Sequence, residues 1–300
     1  MKIISIGEIL WDVFDHGEYL GGAPFNFAAH ARRLGHDVFF VSAVGNDERG
    51  RLAIARVEEL GLSPRFVQRI EAQPTGIVSV GLDPTGQPQF VIHRPAAYDA
   101  LSVNESDLAA ISSLEADWIY FGTLHQCSPS ARRALSALIQ SNPRVRRFYD
   151  VNLRAGSCDA TLVPDLLKQA SVVKLNDEEV SSVGELLGQS NGPIEEFCRN
   201  NTKIFGWEAV AVTRGAAGCS LLIGDNYVEV DGYAVPVADT VGAGDGFAAA
   251  FLHGLNKGWP PVEIGDFANR VGALIASRHG GVPAWTVEEA CALAKVSILR

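Results

Sequence analysis

The stretch KIISIGEILWDVFDHGEYLGGAPFNFAAHARRLGHDVFFVSAVG, residues 2–45, decides the fold class. Residues 2–7 are an apolar run closed by glycine, the pattern of a strand buried on both faces. Residues 23–35 change period, with Pro24 near a first helical position and Gly35 just past a last one, which brackets a helix. Residues 37–45 return to a continuous apolar run. Strand, helix, strand in that order points to a parallel sheet with helices covering it.

The same rhythm continues outward. DERGRLAIARVEELG (47–61) reads as a second helix closed by Gly61. DWIYFG, RRFYDVN, SVVKLN and EAVAVTRG are further strands, and GCSLLIGDNYVEV (218–230) adds more β structure. GDGFAAAFLHGLNKG, PVEIGDFANRVGALIASRHG and TVEEACALAK end the chain in helices. Residues 64–94 break the pattern. GIVSVGLDPTGQPQFVIHR holds two β-rich segments around a turn signal, and an antiparallel hairpin is expected there. Such a hairpin does not belong in a parallel stack, so a small β lid is expected from about 15–23 and 64–98. The expected fold is one α/β domain over 1–300: a three-layer α/β/α sandwich with a central mostly parallel sheet and a small β-sheet lid.

Composition narrows the function. The chain has 300 residues, 47% apolar and 20% charged, with a net charge of −10. This argues for a soluble globular protein and against a nucleic-acid partner bound by broad charge neutralisation. No apolar stretch is long enough to span a bilayer, no membrane partner is expected, and residues 1–14 do not read as a signal peptide because Glu8 and Asp12 interrupt them. The five cysteines show no metal-ligand spacing and are expected to be free thiols in a cytoplasmic protein. The lid has strand edges that could pair with a second copy, so a homodimer through the lid is open.

Ligands of an open parallel sheet bind where strands end and helices begin, and the informative residues lie at such places. VADTVGAGDGFAAAFLHGL (237–255) is one of them. Glycines at 242 and 244 let the backbone approach a ligand, and the following helix start offers unpaired N–H groups and the positive end of its dipole. A carboxylate at Asp245 beside an anion cradle makes sense if a hydroxyl must also be held and must lose its proton, as in phosphoryl transfer to an alcohol. From the local pattern alone, Asp245 is equally a helix cap on a glycine turn. There is no Gly-Lys-Ser/Thr loop and no dinucleotide fingerprint after the first strand. Asn176 with Glu179 also reads as a capping box, and Asp47 with Gly50 as a helix start. Phe247, Phe251 and Leu255 share a helix face and read as core. His30, His93 and His125 show no partner spacing.

DTVGAGD (239–245) resembles the signature of the ribokinase-like carbohydrate kinases, the phosphofructokinase-B family. Further marks follow over nearly the whole chain in the family's order: GGAPFN (21–26), VGNDERG (44–50), DVNLR (150–154), KLNDEE (174–179), TRGAAG (213–218) and FANRVGALIASRHGG (267–281). The resemblance implies a sugar kinase using ATP and Mg2+. It implies Asp245 as catalytic base and the backbone of Gly242, Ala243 and Gly244 as anion hole. Asp12, Gly21, Gly22 and Asn26 would bind the sugar, with Arg154 near the acceptor or its phosphate. Asn176 and Glu179 would bind magnesium and phosphates, Glu179 through water. Thr213, Gly215 and Gly218 would line the nucleotide, and Asn269 would lie beside the adenine. Asp239 with residues 277–284 matches a monovalent-cation site, possible for K+, although Ala284 brings no side-chain oxygen.

HRPAAYD (93–99) and DVNLR look closest to the fructokinase-like branch, which implies a primary hydroxyl of fructose as acceptor, with Arg94 and Tyr98 as lid contacts over the sugar. Ketodeoxygluconate, ribose and nucleoside kinases are the alternatives within the family. A sugar-sensing protein without turnover and a dinucleotide-dependent oxidoreductase are the alternatives outside it.

Overall fold

Thirteen strands build two sheets in the computed structural model, which describes residues 1–15, 17–82, 88–153 and 161–294. In chain order they are β1 (Lys2–Ile6), β2 (Leu10–Phe14), β3 (Gly17–Gly21), β4 (Asp37–Gly45), β5 (Val67–Ile70), β6 (Gly76–Leu82) and β7 (Pro88–His93). They continue as β8 (Trp118–Gly122), β9 (Arg146–Asp150), β10 (Val172–Asn176), β11 (Ala209–Thr213), β12 (Cys219–Ile223) and β13 (Asn226–Val230). The large sheet has the order β13-β12-β11-β10-β9-β8-β1-β4-β5. All its pairings from β11 to β5 are parallel, and only β12 and β13 run antiparallel at one edge.

The layers follow from the two-residue period of a strand. Ile3, Phe40, Trp118, Tyr120, Phe148 and Val172 point into one core, which includes Phe25, Phe27, Phe247 and Phe251 from helices Ala23–Arg33 and Ala243–Lys257. Their neighbours Ile4, Val41, Ile119, Phe121, Tyr149 and Val173 point into the other, with Leu135 and Leu138 of helix Pro129–Ser141 and Val180 and Val183 of helix Asp177–Leu186. Both faces are apolar, so the strands read as unbroken apolar runs. This is the α/β sandwich expected from the sequence.

The smaller sheet has the order β3-β2-β6-β7, with β6 and β7 antiparallel and Ile77 opposite His93. Asp12 lies within β2, paired with Tyr19 of β3. Residues 67–70, expected in the lid, instead form β5 and extend the large sheet beside β4. One cysteine of the described residues departs from the expectation of free thiols. Cys127 is disulfide-bonded, whereas Cys198, Cys219 and Cys291 are free. Among the described residues no helix is long and apolar enough to cross a membrane.

Candidate active site

Each glycine of the late turn answers a different physical demand. Gly242 caps helix Ala243–Lys257 in the left-handed conformation, φ 79° and ψ −9°, and a Cβ there would lie 2.2 Å from the Gly281 carbonyl oxygen. Gly244 faces Lys174, whose Nζ would be 3.3 Å from an added Cβ. Gly246 packs under Ile275 of helix Pro261–Ala276, where a Cβ would come within 2.0 Å of Cδ1. Among the described residues the Gly242 and Gly244 amides have no backbone acceptor, and Ala243 N–H reaches only the Thr240 carbonyl at 3.3 Å. The helix start thus presents donors and the positive dipole end to the crevice, as an anion cradle requires.

Asp245 sits in the first turn of this helix, 7% exposed. Asn26 Nδ2 donates to its Oδ2 at 2.8 Å. Asn26 comes from helix Ala23–Arg33, whose cap Gly22 has φ 111°, and a Cβ on Gly22 would lie 2.6 Å from the Glu8 carbonyl oxygen. Gly21 leaves room for the Asp12 carboxylate, which an added Cβ would meet at 2.7 Å. The pair of glycines therefore seats the helix and leaves space for an acid.

Asp12, Gly22, Asn26 and Asp245 line one cavity of ≈ 370 Å³ between the two sheets. Glu8, Asp12, Gly22, Asn26, Asn176, Glu179, Gly242, Gly244 and Asp245 border it, and Val78, Ile92 and Leu124 supply apolar wall. A second cavity of ≈ 390 Å³ lies on the other side of the turn, bordered by Thr213, Gly215, Gly218, Tyr233, Ala243, Phe247 and Asn269. Thr213, Thr240 and Gly244 belong to both. The two cavities meet at the glycine turn, the place where a group could pass from one occupant to the other.

Asn176 and Glu179 form the capping box read from their spacing. Asn176 Oδ1 accepts from Glu179 N–H and Glu179 Oε2 from Asn176 N–H, each at 2.8 Å. Glu179 Oε1 also accepts from Leu153 N–H at 2.6 Å. Capping and cavity lining are therefore compatible. Burial raises the Glu179 pKa, and Lys174 works against that rise. With both oxygens on backbone N–H groups, this carboxylate fits a hydrated magnesium ion held through water, not direct ligation.

The sequence reading placed Glu8 after the first strand without giving it a role, and overlooked Lys174 and Asp150. Lys174 Nζ donates to both oxygens of Asp150, at 2.9 and 3.1 Å, and Tyr120 OH donates to Asp150 Oδ2 at 2.9 Å. Asp150 is fully buried and Lys174 nearly so. Burial lowers the Lys174 pKa, but Asp150, then Glu179 and Asp245, outweigh it and hold it above its ordinary value. The available signal was a lysine inside an otherwise apolar strand, SVVKLN, beside an aspartate ending another, RRFYD.

Several expected site residues are elsewhere. Tyr98 does not reach over the cavity: it is fully buried beneath the small sheet with Leu10, Val78, Ala96 and Leu124, and its ring fills the space beside Gly76. Arg94 is ion-paired with Asp99 and donates to the Leu124 carbonyl at 3.4 Å, outside the cavity lining. Gly21 stands behind Asp12 and does not border the cavity. Asp239 accepts from Val241 N–H and Gly280 N–H, each at 3.0 Å. Arg278 donates to the Ala284 carbonyl. Arg154 lies outside the described residues.

A family model described as "pfkB family carbohydrate kinase" matches residues 6–287. The uncharacterized sugar kinase PH1459 of Pyrococcus horikoshii is 31% identical over 304 residues, which span 95% of this chain and 92% of that one. Its crystal structure matches with a TM-score of 0.83 over 98% of this chain and 99% of that chain. Fructokinase-1 of Zea mays is 27% identical over 285 residues, 89% of this chain and 85% of its own. The fructose-, ADP- and calcium-bound fructokinase of Vibrio cholerae O395 matches with a TM-score of 0.83 and 25% identity, over 97% of this chain and 98% of that one.

Proposed function

The chain belongs to the pfkB family of carbohydrate kinases, phosphotransferases acting on a sugar hydroxyl, and from that premise we propose that it moves the γ-phosphoryl group of ATP to a primary hydroxyl of a ketohexose such as fructose. The observation that carries this reading is the position of Asp245: a buried carboxylate fixed by Asn26, at the seam of two cavities of different character.

In this reading the sugar occupies the cavity bordered by Asp12, Gly22 and Asn26, whose polar groups suit hydroxyls, while Val78, Ile92 and Leu124 cover its carbon face. The nucleotide lies along Thr213, Gly215 and Gly218 with its base toward Asn269, where small residues let backbone and ligand approach closely. Its phosphates run past Thr240 to the donors of Gly242, Ala243 and Gly244. Asp245 orients the attacking hydroxyl and accepts its proton as the new bond forms, a task a weak base performs when the proton leaves late. Magnesium, held through water near Asn176 and Glu179, would neutralise charge on the phosphates. Fructokinases among the relatives support fructose as acceptor.

Two measurements test the proposal. ADP release across a panel of sugars and nucleosides should be fastest with fructose, and a faster aldopentose or nucleoside would replace the acceptor named here. Asp245→Asn should keep ATP and sugar binding while turnover falls by on the order of a thousandfold or more. Comparable turnover by that variant would remove the base.

A further inference from the structure

Among the described residues, five charged side chains border the Asp245 cavity: Glu8, Asp12, Glu179 and Asp245 are acidic and Lys174 alone is basic. Besides the magnesium of the proposed function, a site with that balance calls for positive charge where the phosphates arrive. Lys174 lies there. Its Nζ sits 3.3 Å from where a Cβ on Gly244 would be, and Gly244 borders both cavities.

The ammonium is also fixed in direction. Two of its interactions go to the Asp150 oxygens, and Asp150 is held in turn by Tyr120. An ammonium has three donors, so one N–H is left over, and Lys174 borders the crevice. A lysine kept only to neutralise Asp150 would have no reason to border the cavity. Positioned charge that needs no reorganisation is what stabilises a developing phosphoryl transition state.

We propose that Lys174 is a catalytic residue that donates this remaining N–H to a peripheral oxygen of the phosphoryl group in flight, with Asp150 and Tyr120 as its positioning residues. The sugar oxygen forms its bond to the γ-phosphorus as the bond from that phosphorus to the β–γ bridging oxygen breaks. The bridging oxygen leaves with the electron pair on ADP, and the hydroxyl proton passes to Asp245. Lys174 forms no covalent bond and keeps its proton throughout. The inference rests on the kinase reading of the same site and adds a cation to it.

The test uses the Asp150→Asn/Lys174→Gln double variant, which removes both charges together because removing one partner of a buried pair leaves the other uncompensated. With fructose and MgATP, kcat should fall about 100-fold, the scale of one lost transition-state donor. Affinity for MgADP with tetrafluoroaluminate should fall by a similar factor, and MgATP affinity should stay within about 3-fold, since the contact strengthens in the transition state. A variant with wild-type kcat and analogue affinity overturns the proposal. So does an equal loss of ATP and analogue affinity, which marks a structural role.

A second measurement needs no variant. In 15N-lysine-labelled wild-type protein, the ammonium signal of buried Lys174 should shift when tetrafluoroaluminate joins bound MgADP. An unchanged signal overturns the proposal. Wild-type turnover of fructose is the control: its absence counts against the proposed function, whereas the Lys174 assignment is judged on the analogue signals.

Discussion

The two halves of the crevice recognise by different means. The proposed acceptor side is walled by charged and polar side chains, Glu8, Asp12, Asn26, Lys174, Asn176, Glu179 and Asp245; Asn26 bonds Asp245, Lys174 bonds Asp150, and Asn176 and Glu179 cap each other. The other side is walled by Gly215, Gly218, Gly232, Gly272, Ala243, Ala273 and Ala276, with few side-chain donors. One half works by chemistry at atoms and the other by leaving room. The difference teaches where substitutions should act: on the acceptor side they change turnover and sugar recognition, on the other mainly how tightly the nucleotide sits.

The seam itself should give the largest effect. Gly242→Ala forces a side chain onto a left-handed residue and onto the Gly281 carbonyl. We expect kcat to fall on the order of a thousandfold, with a lowered Tm, and normal turnover would break the comparison at its centre. Next comes the acceptor side. Asp12→Ala should raise KM for the sugar about 10- to 100-fold, the loss of a charged hydrogen bond, and leave KM for ATP unchanged in initial-rate assays. On the nucleotide side, Asn269→Ala loses the amide that donates to Val230 and Asp231 carbonyls at 3.1 and 3.2 Å. It should raise KM for ATP by only about 2- to 10-fold and spare KM for the sugar. If both variants moved both constants equally, the division would fail.

The smallest effect lies beneath the seam. Trp285 Nε1 donates to His30 Nδ1 at 3.1 Å, so His30 Nε2 carries the hydrogen that meets the Gly281 carbonyl at 3.0 Å. Burial lowers the His30 pKa to about 4. Between about 6.5 and 4 the unfolded chain binds the proton and the folded chain does not, so this residue makes stability fall as pH falls through that window. The slope is at most about 1.4 kcal/mol per pH unit. Urea unfolding from pH 7 to 4 should show a shallower loss for His30→Gln than for the wild type, and parallel curves would refute the assignment.

Much of the fold was readable because strands covered on both faces must be largely apolar, as β1, β4 and β8 are. The turn residues were readable because a left-handed cap or a close backbone approach excludes other side chains at single positions such as Gly22 and Gly242. Tyr98 and Arg94 were misread because chain position tells that a segment leaves the lid, not which way its side chains turn. Tyr98 turns inward under the small sheet and Arg94 onto Asp99. Val78, Ile92 and Leu124 meet at the cavity only through tertiary packing and carry no local signature. Lys174 and Asp150 belong to different strands, and their pairing exists only in the folded sheet.

That pairing has a consequence for how the chain can vary in length. In the β9–β10 ladder Lys174 stands beside Asp150, and Val172 beside Phe148. Adding or deleting one residue within β10 would hand the lysine's place to Val173 or Leu175 and swing the ammonium into the opposite helical layer. Loops elsewhere can absorb insertions. Between positions 172 and 176 the count of residues is as much a part of the site as their identity.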